Sequence, residues 1–472
     1  MIAKKNNISG ALLFMLFLIL AALSGNSQSV ILQGTAEEYA GEEIRFYTYS
    51  DFISSQKEVL DSAIVSQNGE FRCAFPLEET RKIYSELGVY EAYLYVKPGT
   101  HYTISLPPRQ EKTQAQQLNP YFEGIPYHIG VENSKEPALN PAMYRFKKHY
   151  DRVFNENALR LKNPAFNKDS IIQLIEHFNG IDHPFYQTYR KYRTEGLRLT
   201  LKNGSGKLKA SLFNDSSIYY HNPAYAELFN EMFREYFNEL PSRFDIVITP
   251  TLKQYKDPAK IDSLLAHDTL LTQNPRLREL VQLKALHDAF YSPDYPQKDI
   301  ISVLDSFARW SDYPEHQKIS RRIRQKVARL LVGYEPPGFC LYDVDSNKVC
   351  LDDYKGEYVY LGFCNSRNYT CLKHYNILRN VYKQHKNHFR IVIISTEETF
   401  SQLKHFLDRK DYKWTFLYGG ADKQILEKYD IKTMPSYFFI KKDGTLGLSP
   451  APAPSEKIEW RIYQILKANG DI

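Results

Sequence analysis

Leu361-Gly362-Phe363-Cys364-Asn365-Ser366-Arg367-Asn368-Tyr369-Thr370-Cys371 decides the reading of this chain. The apolar run Tyr358 to Phe363 that leads into it has the continuous hydrophobicity of a buried parallel strand. From Cys371 to Lys386, Leu372, Tyr375, Leu378 and Tyr382 fall near helical spacing. A buried strand therefore runs, after a short loop, into the N-terminus of a helix. Working outward, Phe389 to Ser395 reads as a second buried strand, Glu397 to Arg409 as a helix and Trp414 to Leu417 as a short strand. Ile425 to Tyr429 is a brief helix. Ile431 to Ile440 passes through Met434-Pro435 into a strand, and Lys442-Asp443-Gly444 marks a hairpin turn. Glu456 to Ala468 is the last helix.

This order and spacing resemble the thioredoxin-like superfamily, and within it the TlpA/ResA-like branch of periplasmic thiol–disulfide interchange proteins. The resemblance covers about Pro336 to Ile472. It implies an α/β domain in which Met434-Pro435 matches the family's cis-proline and forms the substrate-binding loop. It also implies a Cys-x-x-Cys slot at the helix start, which here reads Asn368-Tyr369-Thr370-Cys371. Asn368 stands in place of the nucleophilic cysteine and Thr370 in place of the usual proline. Gly362 lies where the family often carries a buried Asp or Asn that assists proton transfer. Cys364 and Arg367 take the usual tryptophan positions. Thiol–disulfide exchange needs a thiolate to attack a disulfide sulfur, which an amide cannot do. The resemblance therefore implies a degenerate site with no catalytic residue expected, and Cys371 and Cys364 as the residual candidates. Cys371 reads first as a small buried hydrophobe.

Ahead of this domain, Met1 to about Ser27 has the form of a secretory signal. Lys4 and Lys5 precede the apolar run Ala11 to Leu23, and small residues follow. That run is shorter than the roughly 18–20 apolar residues of a membrane span. Cleavage gives an exported chain, expected in the periplasm with no remaining span; an uncleaved anchor is the alternative. Export brings an oxidising environment. Five cysteines leave at least one unpaired within the monomer. Cys73 shares a strand face with Phe71 and Phe75 and reads as core. Cys340 and Cys350 flank a hairpin. With Ser346-Asn347 at the tip, Cys340 faces Asp353 and the two thiols point apart, so no bridge is expected there unless a bulge intervenes. The formal charge of +6 falls by two when Lys4 and Lys5 leave, too mild to argue for nucleic acid.

The whole reads as a multidomain α+β protein: signal 1–27, an all-β module 28–108, a linker 109–141, a mainly helical region 142–332, and the thioredoxin-like domain 333–472. The β module rests on short strands (Val30–Gly34, Glu43–Tyr47, Ser62–Val65, Glu70–Phe75, Ala92–Lys97, Tyr102–Leu106) separated by turn signals such as Asn68-Gly69. It resembles the DUF4369-like modules that precede such domains in exported proteins. In the helical region Asp169–Phe178, Pro223–Leu240, Asn274–Tyr291 and Gln297–Trp310 are amphipathic. Ile319, Ile323, Val327 and Leu330 form an apolar stripe beside the basic face of Arg321, Arg322, Arg324, Lys326 and Arg329.

No cofactor or metal is expected. Gly204-Ser205-Gly206-Lys207 lacks the spacing and the Ser/Thr of a phosphate loop, and Glu176-His177 and His287-Asp288 lack His-Glu-x-x-His spacing. Three functions stay open: a non-catalytic module of the cell envelope binding an exported protein or peptide, an altered thiol–disulfide oxidoreductase using Cys364 and Cys371, and a structural domain. Export carries its own test. The mature protein is expected to begin near Asn26 or Gln28, and N-terminal sequencing that found Met1 in a membrane fraction would contradict it.

Overall fold

The computed structural model describes residues 28–471, apart from 114–115, 117–118, 120–121, 133–138, 162, 164–165, 179, 202–211, 214–216, 398 and 422–423. The signal segment and Gly204-Ser205-Gly206-Lys207 lie outside the described residues. The chain combines strand-rich N-terminal sheets, a helical middle and an α/β C-terminal domain. It divides into two compact units, one ending at Ile323 and the other formed mainly by Arg324–Ile472.

In the first unit, β1 (Gln28–Thr35) pairs antiparallel with β4 (Glu70–Leu77) and parallel with β7 (His101–Ser105). A second sheet holds β2 (Glu43–Tyr49), β3 (Lys57–Ile64), β5 (Arg81–Leu87) and β6 (Tyr90–Val96). Alternation along β4 buries Phe71, Cys73 and Phe75 and exposes Arg72 and Ala74. Those residues join Val30, Leu32, Phe46, Ile83 and Leu94 in one apolar core shared by both sheets. The stretch read as a linker is not wholly one. It contributes β8 (Ile125–His128), parallel to β6, and β9 (Gly130–Val131), antiparallel to β7. Both are too short to show an alternating pattern, and fully buried Ile129 anchors them between.

The helices run from Leu139–Leu161 to Pro314–Ala328. Several start with the same device: Asn222, Asp257 and Asn274 accept hydrogen bonds from the first turn's amides, and Pro223, Pro258 and Pro275 follow. The single helix expected over Pro223–Leu240 is two, Pro223–Met232 and Tyr236–Phe244, broken where Glu235 takes φ +49°. The Glu235 amide leaves the helix to donate to Asp288 Oδ2 at 3.0 Å. Apolar residues continue across the break, so periodicity alone misses it. Tyr186, Tyr192, Tyr225 and Tyr236 are fully buried and account for much of the tyrosine content here. Of the basic cluster, Arg321 is exposed, but Arg322 Nη1 donates to Ser50 O at 3.0 Å and is only partly solvated.

The C-terminal unit is built on a seven-stranded sheet of order β11-β10-β14-β13-β12-β15-β16. Its strands are β10 (Cys340–Asp343), β11 (Lys348–Cys350), β12 (Val359–Cys364), β13 (Arg390–Ser395), β14 (Thr415–Tyr418), β15 (Ser436–Ile440) and β16 (Leu446–Leu448). Four helices accompany it: α1 (Tyr369–His385), α2 (Phe400–Asp408), α3 (Ile425–Lys428) and α4 (Ile458–Ala468). β12 is central, parallel to β13 and antiparallel to β15. Its alternation divides two cores. Val359, Leu361 and Phe363 face one with Val392, Ile394 and Tyr429. Tyr358, Tyr360 and Cys364 face the other, with Tyr375 and Leu378 of α1 and Ile458 and Ile462 of α4.

The hairpin register differs from expectation. Cys340 pairs with Cys350, not Asp353, and the two form a disulfide. The tip lies at Asp345 because Asp343 organises the turn. Asp343 Oδ1 accepts from the amides of Asp345 and Asn347 at 2.9 and 2.8 Å, and Ser346 takes φ +66°. Replacing both residues, as Cys340→Ala with Cys350→Ala, is expected to lower stability by roughly 2–3 kcal/mol for so short a loop. Denaturant melts of the pair variant against wild type check this.

Candidate functional site

The site forms where β12 ends and α1 begins. Asn368 is the N-cap of α1, with extended backbone angles. Its Oδ1 accepts from the amides of Thr370 and Cys371 at 2.9 and 3.2 Å, meeting two of the donors a helix start leaves without partners. Its Nδ2 donates to Met434 O at 3.1 Å. Met434-Pro435 is a cis peptide and leads directly into β15. The carboxamide thus joins the helix start to the Met434-Pro435 loop. The residues before it are also held: Asn365 Nδ2 donates to Thr396 O at 2.9 Å, and the Ser366 amide donates to the buried carboxylate of Glu397 at 2.6 Å. A cavity of about 430 Å³ adjoins this loop, lined by Ser366, Arg367, Glu397, His405, Arg409 and Lys410.

Tyr369 is 80% exposed and Thr370 is also exposed, whereas Cys371 and Cys364 are each 0% exposed. Both thiols are free and belong to the same apolar core. Burial pushes the Cys364 thiol well above its ordinary value, and the Cys371 sulfur beside it pushes it further. Cys371 goes the other way. Burial alone would raise it, as expected of a buried thiol, but the hydrogen bond from Cys364 outweighs that cost and the Asn365 backbone adds to the effect. If either sulfur of the pair ionises, it is Cys371.

Gly362 has a local steric cause. It pairs with Tyr437 across β12 and β15. A Cβ there would stand 2.8 Å from the Tyr437 ring and from Ile393 Cδ1. The ring stacks on Tyr360 with centroids 5.0 Å apart and carries its hydroxyl to 3.7 Å from Cys364 Sγ and 3.0 Å from His374 Nδ1. Neither His374 nor the reach of Tyr437 stood out in the sequence. The available signal was spacing: His374 lies one helical turn after Cys371, on the same face.

The remaining candidates do not join this site. His177 Nδ1 lies 2.7 Å from Gln173 O within its own helix, and Glu176 pairs with Arg198. Asp288 is held by Lys284 and by the Glu235 amide. No group of metal-ligating side chains occurs among the described residues. A second polar network in the helical region escaped notice in the sequence. His316, fully buried, lies 2.9 Å from Glu279 Oε2 and 2.8 Å from Tyr220 Oη, and Ser311 donates to the same carboxylate oxygen at 2.5 Å. Each buried polar group there has a partner, as a packed helix interface requires.

Residues 332–448 match the AhpC/TSA family. The C-terminal domain is thioredoxin-like. It is similar to thiol-disulfide oxidoreductases of the ResA kind. The thiol-disulfide oxidoreductase ResA of Bacillus thuringiensis subsp. konkukian is 29% identical over 122 residues, which is 25% of this chain and 69% of that protein. ResA of Bacillus subtilis is 30% identical over 114 residues, 24% of this chain and 63% of its own length. Among solved structures, the thioredoxin domain of a thiol-disulfide oxidoreductase from Bacteroides vulgatus is 23% identical, covers 29% of this chain and 97% of that one, and superposes with a TM-score of 0.26.

Two substitutions probe the geometry of this thioredoxin-like domain. Asn368→Ala is expected to cost about 1 kcal/mol or more, since it removes a cap. Gly362→Ala is expected to cost about 1–3 kcal/mol by overpacking. Thermal and denaturant unfolding measure both.

Proposed function

We propose that this is an exported protein of the cell envelope whose thioredoxin-like domain has a degenerate active site and serves as a non-catalytic module binding a protein or extended peptide. The observation that carries the reading is the engagement of Asn368. Its oxygen is spent on two helix amides and its nitrogen on Met434 O, so the position that would hold an attacking thiolate is a structural tie. Binding can outlast that loss. An extended segment is recognised through backbone hydrogen bonds and side-chain pockets, neither of which needs a thiol. Exposed Tyr369 and the cavity lined by Ser366, Arg367 and Lys410 offer such contacts.

A periplasmic location is supported by the form of residues 1–27 and by the Cys340–Cys350 disulfide, a bond that persists in oxidising compartments. No helix among the described residues is long and apolar enough to cross a membrane. We read the β strands ahead of the helical region, β8 and β9 among them, as a DUF4369-like module, followed by a helical region at 142–332 and the thioredoxin-like domain at 333–472.

A second reading, an altered thiol–disulfide oxidoreductase, is favoured by the two free thiols, Cys364 and Cys371, buried in one core. One insulin-reduction assay separates the two. Wild type is expected to show no turnover above background. Asn368→Cys is expected to gain measurable turnover, because a thiol at the N-cap meets the dipole and free amides that favour its thiolate. Robust wild-type turnover that disappears in Cys364→Ser would overturn the binding-module reading in favour of the altered pair.

A further inference from the structure

The cavity beside α2 carries more positive charge than the residues around it use. Ser366 and Arg367 of the loop before Asn368 form one side of it, and Gln402, Phe406, Arg409 and Lys410 form the other. Glu397 lines it as well and follows Thr396, whose hydroxyl lies 3.2 Å from Met434 Sδ. The cavity and the Met434-Pro435 loop are therefore neighbours. Three cationic side chains, Arg367, Arg409 and Lys410, face the single carboxylate of Glu397. That carboxylate is buried and already committed: it accepts from the Ser366 amide at 2.6 Å and from the Ser395 hydroxyl at 3.5 Å. Arg409 and Lys410 are exposed and enter no ion pair among the described residues. Their position at the C-terminal end of α2 suits the helix dipole. The dipole does not explain Gln402. This residue sits in the first turn of α2, where its amide donates to Thr399 Oγ1 at 3.3 Å. Its side-chain Oε1 is buried and has no hydrogen-bond partner among the described residues. An acceptor left in that state costs free energy that a leucine or methionine at 402 would not. The cost is recovered when a donor reaches it. Half-buried Phe406 adds an apolar wall.

We propose that this cavity receives an aspartate or glutamate side chain of an extended peptide segment. Arg409 and Lys410 hold the carboxylate, and Gln402 Oε1 accepts a backbone N–H of the same segment. This rests on the binding-module reading and gives its partner a chemistry: the bound segment is acidic. The two kinds of group in the cavity select that class together. Cations without a carboxylate partner call for an anion, and their hydrogen bonds to it are charge-assisted. An orphaned acceptor calls for an N–H donor. A peptide with an acidic residue brings both within one residue's length, whereas a free dicarboxylate brings no donor for Gln402. A basic side chain would meet like charge at Arg409 and Lys410, and a neutral one would leave them as they are. The stem of a glutamate has Phe406 to lie against. Recognition of this kind involves no thiol and is unaffected by the loss of a nucleophile at position 368.

The test presents the immobilised full-length chain with a library of short peptides in which β-branched residues flank one randomised position. Sequencing of the retained peptides is expected to show Asp and Glu enriched at that position. Fluorescence anisotropy then measures an enriched peptide against variants. Arg409→Ala with Lys410→Ala is expected to weaken it at least about tenfold at low salt, the scale of lost hydrogen bonds to a charged group. The same pair of changes should flatten the fall of affinity with ionic strength, which a merely structural role would not do. Both residues are exposed, so the fold should survive. Arg409→Glu with Lys410→Glu is expected to turn the enrichment toward Lys and Arg. Gln402→Leu should weaken binding about fivefold while keeping the acidic preference. Peptides retained with no acidic enrichment, or an acidic preference that persists in the charge-reversed variant, would overturn this inference and leave the binding-module reading standing. No peptide retained by the wild type would overturn both. Glutarate, added as a competitor, is expected to displace the peptide only weakly. Glutarate held as tightly as the peptide would make a free dicarboxylate the occupant and overturn the proposal.

Discussion

The contact of the Tyr437 ring with Gly362 is the constraint on which the site rests. The antiparallel register of β12 and β15 sets the two residues opposite each other, and any side chain at 362 would collide with the ring. Because strand residues alternate, the same face then presents Tyr360 and Cys364 to α1 and α4, and the opposite face is left to a purely apolar core. The phenol hydroxyl arrives among hydrophobic side chains, where an unmatched polar group would be costly. Cys364 and His374 supply its partners, and Ser455 supplies the partner of His374.

Asn368 serves the helix start and the loop beside it at once. Asparagine is among the best N-cap residues. Its second amide atom also reaches the Met434 carbonyl, which makes the loop and the helix one rigid unit. A thiolate there would leave amides to be satisfied by its own charge; a carboxamide satisfies them permanently.

Much of this was legible in the sequence because the elements of the C-terminal domain differ sharply in pattern. The β12 run is continuously apolar, and Leu372, Tyr375, Leu378 and Tyr382 keep helical spacing along α1. The helix start at Asn274-Pro275 was similarly plain. What the sequence hid was decided by single side chains acting at a distance. Asp343 shifted the hairpin tip by capturing two amides, and that shift brought Cys340 opposite Cys350. Asp288 drew the Glu235 amide out of a helix whose apolar period runs on. The Tyr437–His374–Ser455 line joins three segments distant in sequence, so no local window contains it.

The ends of the seven-stranded sheet have a consequence for how the domain meets other chains. An outer strand offers unpaired backbone groups, a ready template for another strand and for aggregation. Here both outer strands, β11 and β16, are three residues long. One of them is also fastened covalently to its neighbour through Cys350. Neither flank offers the length a docking strand needs. Sheet extension at either flank is thereby suppressed.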